Sequence, residues 1–443
     1  MEPEPPAELA PAATAPAWVP EGLRGRPMLW LKLLSAYFSS QSLAQLLSVA
    51  AGLVLVRFLA VRELALYTLA ASAVAFYGFL SDLGSTGSLL YFFQRSRRDG
   101  EDFEPYVAAV AWLRTRALAL GAATVLVALP ALARSRGFGL GESLLVAGAV
   151  VANVWFQMVS AIRLQLLRLS GEYGRAYRAD IVSGGTRLAG AGLMATTGAL
   201  VAWLGIAAAA VAQAASAGLA KPVRAPSKPP PETLSAARKA VLRFLLPTLP
   251  SALYFSIQGQ LTVWFAALLG STENVAQIGA LARLGMLMSL FTGLTTVIFL
   301  PRLAAITEEG LYRRRCLQFG AFLALLALAI LGFAWLAPRL FLLLLGSHYQ
   351  HLEEELLIVV AASGLTLLGG YAVAVNTARA WNRWQGLCVL ALAASQAVLA
   401  ALLPLSTTAG LLWFNLGTSA VGLLLQMIVM GFGFLRPRWV HWA

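Results

Sequence analysis

One aspartate and four arginines lie where this chain should hold only apolar side chains. Asp82 sits inside Phe79–Arg95, FLSDLGSTGSLLYFFQR, followed by Gly84, Ser85, Thr86 and Gly87. Arg114, Arg116, Arg187 and Arg283 fall within other apolar stretches. A guanidinium stays charged and presents a planar fork of donors that fits carboxylate or phosphate oxygens. A carboxylate beside hydroxyls has two chemistries open to it: a fixed ion pair that clamps two helices, or titration that couples to protons or sodium. One acid cannot neutralise four arginines, so the set carries surplus positive charge and calls for an anion. A second set is neutral. Gln41, Gln45 and Ser48 share one helical face at i, i+4 and i+7. Tyr254, Gln258 and Gln260 follow Pro247 and Pro250, and Asn376 and Asn415 stand in later apolar runs. Amides and hydroxyls of this kind line cavities that hold sugar hydroxyls, or they bond neighbouring helices to each other.

The elements that hold these groups follow from composition. The chain has 443 residues, 59% hydrophobic and 12% charged, with a mean hydropathy of +0.74. A soluble domain has roughly 25% charged residues. Runs of the ~20 apolar residues needed to cross a bilayer recur throughout. They lack the alternation of barrel strands, so they read as helices. The spacing predicts an all-α polytopic membrane protein with twelve spans: 30–56, 64–93, 104–132, 141–167, 177–197, 199–219, 241–269, 274–300, 315–337, 352–378, 384–404 and 408–434. Residues 1–29 read as a disordered tail rich in Pro, Ala and Glu. The polar segment 220–239 divides a six-helix bundle over 30–219 from a second over 240–435, with a short tail at 436–443.

Charge fixes the expected orientation. With the N-terminus inside, 24 of the 33 basic residues face the cytoplasm and five, Arg57, Arg62, Arg134, Arg136 and Arg339, face outward. Lys and Arg favour the cytoplasmic side of short loops, so both termini are expected there. The net charge of +13 then marks a membrane face, and nucleic acid is not needed as a partner.

A charge at the bilayer centre costs ~2.5–3.5 kcal/mol on insertion scales, so the span arginines must face protein, water or an anion. Asp82 lies 17 residues before Asp99 and Arg116 lies 17 after it. In an antiparallel hairpin, equal distance from the turn means equal depth. An ion pair of Asp82 with Arg116 or Arg114 follows. Arg187 lies about ten residues into its span from the cytoplasm, and Arg283 about ten into its span from outside, so the two are expected at different depths. Each either bonds carbonyls of a neighbouring helix or holds an anion.

The two halves echo each other. FLAVRELALYTLAAS (58–72) and LLGSTENVAQIGALAR (268–283) each join two spans through a short loop and a glutamate, Glu63 or Glu273, offset by 210 residues. Many secondary transporters are built from such repeats, with the substrate site between them. Phe58–Arg95, Gln260–Ala304 and the segment 342–370 resemble bacterial flippases of lipid-linked oligosaccharides. These are the O-antigen and exopolysaccharide type, in the multidrug/oligosaccharidyl-lipid/polysaccharide exporter superfamily. Leu-Ala-Leu-Tyr after Glu63 and Gly-Ser after the Asp82 segment depart from that pattern. The resemblance implies two six-helix bundles in a V, alternating access, and a bacterial inner-membrane location. Its substrate would be a polyprenyl-diphosphate-linked oligosaccharide, drawn from the membrane lipids, with a polysaccharide polymerase and export machinery as partners. Under that reading Arg187, Arg283, Arg114 and Arg116 bind the diphosphate.

Other signals are weak. His348, His351 and Glu353–Glu355 read as a solvated helix start rather than a metal site. Cys316 and Cys388 make no disulfide framework. There is no phosphate-binding loop of the ATPase type and no catalytic Ser or zinc signature, so the chain is expected to be no enzyme and to use no cofactor. The rival readings are a multidrug antiporter or peptidoglycan-precursor flippase of the same superfamily and, from another class, a membrane polysaccharide polymerase or ligase.

Overall fold

A computed structural model describes residues 27–221, 229–295, 303, 306, 308–379, 381 and 383–435. The expected tails, apart from residues 27–29, lie outside these, as do the last residues of the eighth span. The described residues form helices and no strand. In chain order these are α1 (Pro27–Phe58), α2 (Val61–Asp82), α3 (Ser85–Asp99), α4 (Glu104–Ser135), α5 (Leu140–Leu169), α6 (Tyr173–Thr197) and α7 (Ala202–Leu219). The second half has α8 (Pro231–Leu245), α9 (Leu249–Gln258), α10 (Leu261–Leu269), α11 (Thr272–Leu294), α12 (Glu309–Leu336) and α13 (Pro338–Leu345). It ends with α14 (Glu353–Ala378), α15 (Gln385–Leu402) and α16 (Thr408–Leu435). Each of the twelve expected spans coincides with helix, the eighth as far as its described residues go. Ten helical segments are long and apolar enough to cross a membrane on those grounds alone, and the chain is a multi-pass membrane protein.

Two spans are broken, and both breaks have local causes. The second divides at Leu83, which is left-handed with φ 43°, and Gly84, with φ 79°. The seventh divides at a short 3-10 turn, Leu246–Thr248, where Pro247 and Pro250 remove ladder hydrogen bonds. It divides again at Gly259 and Gln260 before α10.

The linker is shorter than its composition suggested. Residues 231–239 are the first turns of α8, with Pro231 at the first helical position, where its missing N–H costs nothing. Ala237, Val241 and Leu245, at i, i+4 and i+8, are buried against the first half. The remaining face is basic and polar, and so resembled a loop.

The helix pairs repeat between the halves. α5 on α7 is matched by α14 on α16, α6 on α7 by α15 on α16, and α4 on α5 by α12 on α14. α1 on α6 is matched by α9 on α15, and α2 on α5 by α11 on α14. Loops 100–103 and 170–172, with residues 220, 221, 229 and 230, share one end of the molecule, here the basic end. At the opposite, far end the halves meet: α11 packs on α1 and α2, α10 on α2, and α13 on α1. Phe76 of α2 meets Trp264 of α10 edge to face at 4.9 Å. Arg136 donates to the carbonyls of Ala267 and Gly270 at the end of α10. At the basic end α8 packs on α3 and α4, with Tyr91 and Phe244 stacked at 4.8 Å.

Candidate site at the junction of the two halves

Asp82 is the last residue of α2, and the break behind it folds α3 back onto its carboxylate. Its Oδ1 accepts the Thr86 backbone N–H at 3.2 Å, the Ser85 hydroxyl at 3.4 Å and the Thr86 hydroxyl. A carboxylate at the start of a helix satisfies donors that have no partner within it and meets the positive end of the helix dipole. Arg114 of α4 then reaches the same oxygen at 3.0 Å and also bonds the Thr86 hydroxyl. Arg114 is 3% exposed and Asp82 32%.

Of the two arginines that hairpin depth allowed, the structure selects Arg114. Depth was read correctly: Phe92 stacks on Tyr106 and Tyr77 bonds the Leu118 carbonyl on either side of the pair. Two residues on a helix differ by about 200° in direction at 3.6 per turn, so only one of Arg114 and Arg116 can face α2. Arg114 is therefore not a free anion ligand. Arg116 is exposed on the other face of α4, its guanidinium 5.7 Å from the Trp112 ring centre.

The remaining two span arginines border the same stretch of α1, Arg187 one turn beyond Gly184, which packs on Ala44, and Arg283 across Gly52. Arg283 of α11 crosses between the halves and lies over Tyr67 of α2, 5.4 Å from the ring centre. It also lies across Gly52 of α1, where a Cβ would stand 3.1 Å from Arg283 Cδ. Arg187 of α6 is within electrostatic reach of both Tyr67 and Arg283. Its Nε is buried with no hydrogen-bond partner. Among the described residues, neither arginine has a carboxylate in ion-pair contact. α6 begins at Tyr173 rather than near 177, which places Arg187 about mid-helix, as Arg283 is in α11.

α1 runs past both. Gly184 of α6 lies so close to α1 that a Cβ there would be 2.7 Å from the Ala44 carbonyl oxygen. Gln41, Gln45, Ser48 and Gly52 follow one another at i, i+4, i+7 and i+11, so the polar stripe of α1 ends where Arg283 crosses it. The three polar residues are half-buried, and the side-chain oxygen Oε1 of Gln41 is buried without a partner. Gly52 and Tyr67 were not singled out from sequence. Gly52 had a signal, as the next position on that face; Tyr67 had none.

The second-half amides divide differently. Tyr254 of α9 donates to Gln396 of α15 at 2.9 Å. Asn376, 1% exposed, donates to the carbonyl and side-chain oxygen of Gln426 on α16 at 3.1 and 3.0 Å. Both are bonds between helices rather than cavity linings. In each case the side chain meets a partner amide on a neighbouring helix. Gln258 and Gln260 are half-buried at the α9–α10 break, and Asn415 is exposed on α16. Among the described residues no cluster of His, Cys, Asp or Glu has the makings of a metal site. His351 instead meets Gln277 at 3.3 Å.

The arrangement is two cations from opposite halves, flanked by an aromatic face and a stripe of amides and a hydroxyl, with buried polar atoms left unbonded. It can bind an anion that also carries hydroxyls.

Solved structures share this architecture. An inward-facing multidrug resistance MATE family transporter of the MOP superfamily matches with a TM-score of 0.63 at 18% identity, over 89% of this chain and 95% of that one. A MATE structure in the straight conformation matches with 0.59 at 20% identity, over 93% and 96%. A MOP superfamily transporter from Pyrococcus furiosus, described as having a binding pocket of reverse polarity that suggests a different function, matches with 0.61 at 18%, over 93% and 95%. No protein-family model and no curated protein matches the sequence. The chain therefore has the fold of the MOP superfamily transporters.

Proposed function

We propose that the chain is a transporter that works by alternating access and moves a lipid-diphosphate-linked oligosaccharide across the bilayer for polysaccharide export. The observation that carries this reading is that Arg187 and Arg283, from opposite halves, border one stretch of α1, and among the described residues no carboxylate is in ion-pair contact with either. A diphosphate supplies the missing charge, and each guanidinium fork matches phosphate oxygens. The α1 stripe of Gln41, Gln45 and Ser48 offers donors and acceptors to the sugars beside it. A site shared by both halves is remade when they move, which is what alternating access requires. The solved structures of this fold are transporters by name.

The multidrug reading is favoured by the name of several of these neighbours. A site with surplus positive charge and no acid disfavours cationic drugs. Binding of a cationic dye beside binding of a polyprenyl-diphosphate analogue separates the two readings. Charge-assisted hydrogen bonds contribute about 1.5–3 kcal/mol each, so Arg283→Ala and Arg187→Ala should each weaken analogue binding roughly ten- to hundredfold. Transport in proteoliposomes should fall with it at unchanged protein level. Arg283→Lys should recover only part, because an ammonium keeps the charge and loses the fork. Full binding and transport by both alanine variants would exclude the site.

A further inference from the structure

A second, separate pair of arginines meets at the basic end, again one from each half. Arg116 of α4 lies 5.7 Å from the centre of the Trp112 ring, and Arg238 of α8 lies 4.4 Å from the same ring. Among the described residues neither is in ion-pair contact with a carboxylate, and the Arg238 Nε is buried with no hydrogen-bond partner. Two charges of one sign have gathered on one indole.

The surroundings say what kind of anion fits. Arg116 shares a face of α4 with Leu120, 76% exposed, and Val127, 72% exposed. That face is apolar and uncovered, as a lipid-facing surface must be. One turn from Arg238, α8 exposes Leu242, and Leu246 is exposed in the turn that follows it. Counting 1.5 Å per residue from the helix starts, Trp112 lies about 12 Å along α4 and Arg238 about 10 Å along α8. Arg116 is one turn deeper, with its guanidinium reaching back over Trp112 toward the basic end, as long cationic side chains do at an interface. The two charges thus lie toward the basic end of a surface with uncovered apolar side chains, the side on which a headgroup would sit. A soluble anion would not be accompanied by exposed leucines on both sides; a phospholipid would place its phosphate on the arginines and its chains along them. Indoles also favour this depth of the bilayer.

We propose that Arg116, Arg238 and Trp112 form a binding site for the phosphate of an anionic phospholipid, distinct from the junction of Arg187 and Arg283. Because α4 and α8 belong to different halves, the bound headgroup bridges them at the basic end.

The test uses the purified full chain in detergent, titrated with short-chain phosphatidylglycerol, short-chain phosphatidylcholine and inorganic phosphate, with the thermal midpoint as readout. Phosphatidylglycerol should raise the midpoint, phosphatidylcholine should raise it much less, and inorganic phosphate should leave it unmoved. The shift should be lost in Arg116→Gln with Arg238→Gln and in Arg238→Gln alone, and retained in Arg187→Ala. If the double variant does not fold, the wild-type comparison of the three additives still decides. Equal shifts with both phospholipids would overturn the proposal, as would a shift with inorganic phosphate alone, which would mark a free-phosphate site. A phosphatidylglycerol shift that survives in folded Arg238→Gln would remove these residues from it.

Discussion

Asp82 answers one question and raises an asymmetry. Its carboxylate is partly exposed and has three further donors from Ser85 and Thr86, whereas Arg114 is 3% exposed and depends on that carboxylate and on Thr86. Removing one partner of a buried ion pair costs about 3–5 kcal/mol, chiefly through the charge left behind. Asp82→Asn strands a buried guanidinium and should cost at the upper part of that range. Arg114→Gln leaves a carboxylate that keeps its hydroxyls, its helix start and some water, and should cost distinctly less. The double variant should be no worse than Asp82→Asn alone. Thermal midpoints of the three purified proteins measure this; equal losses from the two single changes would mean that the pair is not the buried clamp described here. The same residues mark what could be read from sequence. The cost of charge in lipid singled out the arginines, and hairpin counting gave their depth, but depth says nothing about direction around a helix. Counting therefore left Arg114 and Arg116 both open, and the structure chose Arg114. A side chain's type likewise cannot tell a cavity from a neighbour, which is why Tyr254 and Asn376 proved to bond other helices.

At the level of elements, all twelve spans were legible because an apolar run of span length has few other uses. α8 was not fully so: its first turns bury only one stripe, and the rest of its surface is as polar as a linker. The repeat was visible as two loop glutamates, Glu63 and Glu273, and they hold different things. Glu63 accepts the Ala202 N–H at the start of α7 at 2.8 Å, and Glu273 accepts from the Gln277 amide at 3.2 Å. The helices that follow them, α2 and α11, pack on each other across the halves. Gly279 is what allows it, since a Cβ there would overlap the Thr68 side chain, which is buried and tied to the Leu64 carbonyl. Gly279→Ala should force α2 and α11 apart one turn from Arg283, destabilising by the ~1–3 kcal/mol typical of overpacking and lowering transport with it. Thr68→Ala added to it should recover part of both. A Gly279→Ala protein with an unchanged thermal midpoint and full transport would show that the close approach is dispensable.

Across the whole molecule, the halves are joined at the far end by α10, α11 and α13, and Arg136 is part of that join. It reaches from the α4–α5 connection to the carbonyls at the end of α10, where the helix dipole favours a cation. Two such bonds contribute on the order of 1–3 kcal/mol between them, enough to change the ratio of far-closed to far-open molecules roughly five- to hundredfold. Arg136→Ala should shift that ratio toward far-open, read as a longer distance between spin labels on the α4–α5 and α10–α11 connections. An unmoved distance distribution would mean that the other contacts of that end suffice. The halves, though related, are not mechanically equivalent. α1 is a single helix of 32 residues, while its counterpart is three pieces, α8, α9 and α10, with joints at Leu246–Thr248 and at Gly259–Gln260. One arm is a stiff rod and the other a jointed crank. Any rocking between the halves must therefore be taken up on the crank, whose middle piece touches both α2 and α15, while the rod carries its polar stripe through the stroke as a fixed rail.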